Sequence, residues 1–164
     1  ASDVDKRQGE GMAEGIELLS DLCEELLKRG RAEPISYRRA FEQFAGLNPH
    51  AASTEQIIAA VRAAGVEPPA SMTPEDRDGW LDLLLVERVQ PHLGRQRPAI
   101  LYDYPASQAA LARVRQEDSP VAERFELYVS GIELANGYHG LCLLYPSDAA
   151  DEHLLVNHVG LRTT

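Results

Sequence analysis

The sequence predicts an α+β domain, with helices in its first part and antiparallel strands after them. Three observations lead to this prediction. Apolar residues recur at helical spacing from Met12 to about Gln90, a period of two replaces that spacing after Pro98, and 44% of the 164 residues are hydrophobic. This length and composition are those of one globular domain that can bury its own core.

Four helices are expected before Gly94, each with a recognisable signal at one end. Gly30 can end the first, and Ser36 can cap the second. Ser53 and Gln56 form a capping-box pattern, and Thr73 precedes a proline and two acids. The predicted ranges are Met12–Arg29, Tyr37–Ala45, Ser53–Ala64 and Thr73–Gln90. Residues 1–11 are polar and aperiodic, which predicts a head that is disordered or unmatched to the rest of the domain.

Strands are expected after the helical part. Ala99–Tyr104 is apolar and ends at a proline. Glu123–Val129 alternates, Ser130-Gly131 can form a two-residue turn, and Ile132–Tyr138 returns as the second strand of a hairpin. Strict alternation places Glu126 on one face with Arg124 and Tyr128. It also places Glu133 and Asn136 on opposite faces of the return strand.

Charge and cysteine content exclude several classes of protein. There are 26 acidic and 16 basic residues, a net charge of −10, which argues against a DNA- or RNA-binding surface. No apolar run approaches the roughly 20 residues of a membrane span. Two cysteines do not make a disulfide framework, so a cytoplasmic protein is expected. Cys23 lies among apolar helix positions and is expected to be a buried thiol.

The hairpin carries the polar side chains with the most chemical interest: Glu126, Glu133 and Asn136. Polar groups within a strand need partners, because unpaired burial is costly. The partners may be structural, such as an arginine, or they may be Mg²⁺ and a ligand amine. Gly131 and Gly137 would let a ligand approach the strand. The spacing leaves both interpretations open.

Two strings carry a resemblance to a known family. Residues 122–139, AERFELYVSGIELANGYH, resemble the late catalytic hairpin of class II lysyl-tRNA synthetases. Residues 102–112, YDYPASQAALA, resemble the truncated paralogues of those enzymes, the elongation factor P lysine ligases. The helical region from Met12 to Gly94 is similar to an insertion between the second and third class II motifs. The resemblance covers about Met12–His139 and implies a partial class II synthetase-like catalytic domain over residues 12–141.

The resemblance also implies an activity and a set of site residues. It implies ATP-dependent activation of lysine or (R)-β-lysine as an adenylate, followed by transfer to a lysine of elongation factor P. Glu133 and Leu134 would contact ATP, Glu133 would hold Mg²⁺, and Asn136 would bind the amino-acid substrate. The family has an acid that contacts the substrate amine where this chain has Gly140. The full-length family is expected to be a homodimer that binds neither DNA nor a membrane.

Parts of the family pattern are not found in the sequence. The second and third class II motifs, whose arginines meet the ATP phosphates, are missing, so we expect a fragment that is inactive by itself and assign no catalytic residue. Two alternatives stay open. One is a fragment of a class II lysyl-tRNA synthetase, which an anticodon-binding domain in the full gene would identify. The other is a non-catalytic helical interaction module formed by Met12–Gly94.

The last residues have a different character. Residues 142–152, CLLYPSDAADE, resemble one reading frame of a transposon-based sequencing adaptor, with Pro146 as the single difference. We therefore expect residues 142–164 to be an assembly artefact. A zinc site formed by His139, Cys142, His153 and His158 is less favoured, because the spacing is short and a second cysteine is lacking.

Overall fold

The fold is α+β, built on a mixed sheet with helices on both faces. The computed structural model describes residues 3–140 and 154–157. Within these residues the strands are β1 Glu33–Ser36, β2 Ala99–Pro105, β3 Val114–Arg115, β4 Val121–Val129, β5 Ile132–His139 and β6 Leu154–Asn157. The strand order is β1-β2-β4-β5-β6, with β3 beside β4.

The central hairpin is confirmed. β4 and β5 pair antiparallel through a turn at Ser130-Gly131, and β2 pairs antiparallel with β4. The predicted strands are antiparallel, but the sheet is mixed, because β1, a strand that the sequence did not predict, pairs parallel with β2. β1 is four residues long and contains Pro34, so it shows no alternation that could predict a strand. Proline is tolerated at a sheet edge, where a missing N–H costs no ladder bond.

The helices lie near their predicted positions. They are α1 Asp3–Leu22, α2 Tyr37–Phe44, α3 Thr54–Ala63 and α4 Arg77–Leu84. π-helical turns extend α1 over Cys23–Leu27 and α4 over Leu85–Val89, and a 3₁₀ turn follows at Gln90–His92.

The predicted caps are confirmed at two helices, and at the other two the helix ends lie a few residues from the predicted positions. The Ser36 hydroxyl accepts from the Arg39 N–H, and Ser53 and Gln56 form the expected capping box. The N-cap of the fourth helix is Asp76, three residues after the predicted cap at Thr73. The Thr73 carbonyl instead accepts from Trp80 Nε1 at 2.9 Å. The first helical run ends at Lys28, whose φ is 52°, before it reaches Gly30.

The head differs from its expectation. α1 begins at Asp3, so residues 3–11 are helical and not irregular. The apolar periodicity did not predict this first part of α1, because polar residues and two glycines interrupt the pattern. The segment nevertheless has no proline, and its first acidic residues suit a helix N-terminus. No described helix is long and apolar enough to cross a membrane. Cys142, His153 and His158 lie outside the residues whose side chains are described, as does the predicted adaptor tail except for the backbone of β6.

The sheet separates two apolar clusters. The larger one joins α2, α3 and α4 to one sheet face and includes Tyr37, Leu81 and Tyr104. The smaller one lies under α1 on the other face and includes Met12, Ile100 and Phe125. Cys23 belongs to this smaller cluster, and burial raises the pKa of its thiol, as expected of an inert cysteine.

Candidate ligand-binding cavity

A cavity of about 960 Å³ lies between α4 and the β4–β5 hairpin. The 3₁₀ turn that follows β2 closes one side of it. This volume is at the upper end for small-molecule sites, enough for a ligand the size of a nucleotide or an amino acid. The polar and aromatic side chains around it are Asp78, Asp82, Gln90, Tyr104, Ser107, Gln108, Arg124, Glu126, Tyr128, Glu133 and Asn136.

A β-bulge in β5 decides which side chains face this cavity. Glu126 lies opposite Asn136, whereas Tyr128 lies opposite Glu133, so one extra residue is accommodated at Leu134. Glu133 and Asn136 are thereby on the same face, and Asn136 Nδ2 donates to Glu133 Oε1 at 3.4 Å. The prediction that these two residues point in opposite directions is wrong, because strict alternation assumes a ladder without a bulge.

Leu134 lies on the cavity wall but has a second role. It packs, partly buried, against the apolar cluster beneath α1. A bulge turns two successive side chains toward one face, and Ala135 packs against the same cluster. The predicted contact between Leu134 and ATP stays a prediction.

Glu126 is held by two neighbouring side chains. It is 4% exposed. Arg124 Nη2 donates to its Oε1 at 2.6 Å, and the Tyr128 hydroxyl donates to its Oε2 at 2.5 Å. Burial and the adjacent carboxylate raise the pKa of Tyr128, so the phenol keeps its proton and stays a donor. The structural partner that the sequence analysis allowed for is therefore Arg124, two residues away on the same strand.

Arg124 links this carboxylate to the floor of the cavity. Its guanidinium lies over the Tyr104 ring, with Cζ 4.7 Å from the ring centroid, and its Nη1 donates to the Gln108 carbonyl at 3.3 Å. Burial acts to lower the pKa of Arg124, but Glu126 and the other acids outweigh it and raise the pKa. Arg124 is thus a permanent cation among four carboxylates.

The wall formed by α4 adds two acids for which the sequence analysis predicted no site role. Asp78 and Asp82 lie one turn apart on α4. The Ser107 hydroxyl donates to Asp78 Oδ1, and Gln108 Nε2 donates to Asp82 Oδ1, both at 2.7 Å. Burial raises the pKa of the Asp82 carboxyl, and its hydrogen bond to Gln108 acts in the opposite direction. The available signal was a pair of acids at i and i+4 in an otherwise apolar helix.

Gly137 has a structural reason that differs from the predicted one. A Cβ there would lie 2.5 Å from Phe125 Cζ, so the ring occupies the space that the sequence analysis left for a ligand. Gly131 is needed for its φ of 79° in the hairpin turn. Its N–H donates to the Leu93 carbonyl at 2.8 Å, and Gln90 Nε2 donates to its carbonyl at 3.0 Å, which fixes the turn to the end of the α4 run.

A carboxylate on the cavity face of the hairpin is suited to bind a magnesium ion together with a ligand. Mg²⁺ in nucleotide sites is commonly held by one or two carboxylates, with phosphate oxygens and waters completing its shell. Glu133 provides that donor chemistry, whereas both oxygens of Glu126 already accept from Arg124 and Tyr128. Among the described residues no group of three acids, histidines or cysteines is arranged to hold a metal alone.

Fold and cavity together define an α+β protein with an acidic cavity beside its hairpin, large enough for a small ligand. The chain is 45% identical over 123 residues to the elongation factor P–(R)-β-lysine ligase of Salmonella gallinarum. It is 44% and 43% identical, over the same number of residues, to the proteins of that name from Salmonella arizonae and Salmonella paratyphi B. These homologues confirm the resemblance found in the sequence.

The aligned region is a larger share of this chain than of its relatives. It takes in 75% of this chain but only 38% of each relative, so the chain spans well under half the length of the curated relatives it matches. No family model matches the chain.

Proposed function

We propose that this chain is part of the catalytic domain of an ATP-dependent ligase that attaches lysine or (R)-β-lysine to a lysine of elongation factor P. The observation that carries the proposal is the bulged hairpin, which brings Glu126, Glu133 and Asn136 to one wall of a 960 Å³ cavity. The similarity to ligases of that name supports it. A class II synthetase-like fold for the whole enzyme is part of the proposal.

The proposed reaction has two steps. A carboxylate oxygen of the substrate attacks the α-phosphorus of ATP, the bond to pyrophosphate breaks, and an aminoacyl-adenylate forms. The neutral ε-amine of the acceptor lysine then attacks the carbonyl carbon, AMP leaves, and the amine gives up a proton as the amide forms. Such chemistry depends mainly on positioning and charge neutralisation.

The residues of this chain would contribute to binding and orientation. Glu133 would face the nucleotide and hold Mg²⁺, which neutralises phosphate charge when bound. Asn136 would bind the amino-acid portion of the substrate, since its amide can both donate and accept. Arg124 and Tyr128 would hold Glu126 in place and so support the wall that the ligand meets.

A chimera tests the proposal. The 123-residue matching segment of the Salmonella gallinarum ligase is replaced by the corresponding residues of this chain, and ATP–pyrophosphate exchange is measured with lysine and with (R)-β-lysine. We expect exchange, with transfer of the acyl group to elongation factor P and not to tRNA. A folded chimera without exchange contradicts the proposal, and transfer to tRNA favours the lysyl-tRNA synthetase alternative.

A further inference from the structure

A second cleft lies at the β1 edge of the sheet, away from the cavity beside the hairpin. Its volume is about 320 Å³, and it is lined by β1, α2 and the loop that leads from the 3₁₀ turn into β2. The two spaces have no lining residue in common among the residues that the structure describes. This volume is at the lower end for small-molecule sites. The cleft is therefore large enough for a small ligand of its own.

Three arginines surround this cleft: Arg39 of α2, and Arg95 and Arg97 of the loop. All three are exposed, and none takes part in a salt bridge within the described part of the chain. Glu33 is the single acidic residue among those that line the cleft. Positive charge thus exceeds negative charge here, although acids outnumber bases by 26 to 16 in the whole chain.

The loop that carries Arg95 and Arg97 is held by hydrogen bonds to its main chain. The Ser130 N–H donates to the Gly94 carbonyl at 2.7 Å. Arg29 Nη2 donates to the Arg95 carbonyl at 3.0 Å. Because the loop is already fixed to the hairpin turn, a ligand that binds its arginines has less backbone to order, which favours binding.

Two stacked rings form another wall of the same cleft. The ring centroids of Phe44 and His92 are 4.8 Å apart, and their planes differ by 6°. A ligand can place its charged group against the arginines and an apolar or planar part against these rings. The wall therefore favours an anion that carries an organic group over a bare inorganic ion.

A phosphate monoester has the charge and the acceptors that three arginines require. It carries about 1.5 to 2 negative charges at neutral pH and three strong acceptor oxygens. A guanidinium binds an oxyanion through two parallel N–H···O bonds, and three oxygens provide acceptors for more than one guanidinium. A carboxylate has one charge and two oxygens, so it satisfies fewer of these donors.

We propose that Arg39, Arg95 and Arg97 form a binding site for a small phosphate monoester whose organic part is planar. The arginines bind the phosphate, and the Phe44–His92 wall contacts the organic part. The site lies outside the cavity assigned to the ligase reaction, so this inference does not rest on the proposed function.

The test uses the 164-residue chain, labelled with ¹⁵N, at low ionic strength, where exposed charges are least screened. Phenyl phosphate has both proposed features, benzoate joins the same ring to a carboxylate, and inorganic phosphate lacks the ring. The side-chain amides of Gln43 and Gln96 line the cleft and report binding. We expect saturable shifts with phenyl phosphate at a roughly millimolar Kd. This Kd should be at least about fivefold below that of benzoate and at least about twofold below that of inorganic phosphate.

Variants separate this site from general charge effects. Arg39→Gln and Arg97→Gln each remove one cation from the cleft and should raise the Kd of phenyl phosphate at least about threefold. Arg62→Gln is the matched control, because it makes the same change at an exposed residue of α3 outside the lining. It should leave the Kd unchanged. The amide spectrum of each variant shows whether it is folded.

Each contrary outcome overturns a defined part of the proposal. No saturable shift up to about 20 mM, benzoate binding as tight as that of phenyl phosphate, or undiminished binding in the folded arginine variants overturns the phosphate site. Equal Kd values for phenyl phosphate and inorganic phosphate overturn the role of the aromatic wall. An oligonucleotide or an aspartate-rich peptide that binds more tightly at the same amides overturns the small ligand in favour of a macromolecular partner. None of these results involves lysine activation or transfer, which the chimera measures separately.

Discussion

Glu126 and Glu133, the two carboxylates of the hairpin, differ in their burial and in their hydrogen-bond partners. Both oxygens of Glu126 are engaged by Arg124 and Tyr128, and the side chain is buried. Glu133 is exposed on the cavity wall beside Asn136. A carboxylate that is fully engaged inside the protein has little capacity left for a ligand. Glu133 is therefore the better candidate for contact with Mg²⁺ and ATP, and Glu126 supports the wall.

Replacing Glu133 tests this division. In the active chimera, Glu133→Gln should lower the rate of pyrophosphate exchange by roughly 10²-fold, the scale of losing one contact to developing charge. The change keeps the side chain's size and removes only its charge. The matched control is Glu87→Gln, the same change at an exposed residue of the π-helical turn after α4, outside the cavity lining. Exchange that stays within about twofold of the parent would make Glu133 a structural residue.

Gly137 offers a test of the packing beneath the site. Gly137→Ala should lower the free energy of unfolding by about 1–3 kcal/mol, because the added methyl overlaps the buried Phe125 ring. Urea unfolding of the 164-residue chain gives the measurement. The double variant with Phe125→Leu should recover part of the loss. If Gly137→Ala is as stable as the parent, the close contact has another explanation.

Among the elements, the hairpin turn contains a non-glycine residue with positive φ. Ser130 has a φ of 54° and Gly131 a φ of 79°, which is the conformation of a type I′ turn. Serine adopts positive φ at a cost, whereas Asn-Gly is favoured in this turn. Ser130→Asn should therefore raise the free energy of unfolding by up to about 1 kcal/mol. Thermal and urea unfolding measure the change, and an unaltered or lower stability would count against the strain.

The elements also show what the sequence could predict and where it could not. Local chemistry predicted the caps at Ser36 and Ser53 and the hairpin, because each depends on neighbours in the chain. The parallel pairing of β1 depends on contacts about 65 residues apart and on a strand too short to show a period.

The candidate site could likewise be predicted where it depends on local sequence and not where it depends on long-range contacts. Glu126, Glu133 and Asn136 were found from composition and resemblance, and all three line the cavity. Their shared face required the bulge at Leu134, which no alternation pattern contains. The α4 wall required tertiary structure, since Asp82 meets Gln108 only when residues 26 positions apart pack together.

At the scale of the whole molecule, charge limits what this chain can bind by itself. The net charge is −10, and Arg124 is the cation that the described residues place on the cavity wall, facing Asp78, Asp82, Glu126 and Glu133. A triphosphate needs cationic partners or metal ions to enter such a field. In the proposed enzyme those partners would be arginines outside this sequence, so the hairpin alone provides one side of a nucleotide site.

The chain by itself should therefore bind ATP poorly and form no adenylate. Titration calorimetry of the 164-residue chain with Mg·ATP and lysine should show no saturable ATP binding at micromolar concentrations, and pyrophosphate exchange should stay at background. The chimera, which restores the surrounding segments, should bind ATP under the same conditions. Saturable micromolar binding of ATP to the chain alone would mean that residues 1–164 hold a complete nucleotide site, and Arg124 would then be the first side chain to examine as its phosphate partner.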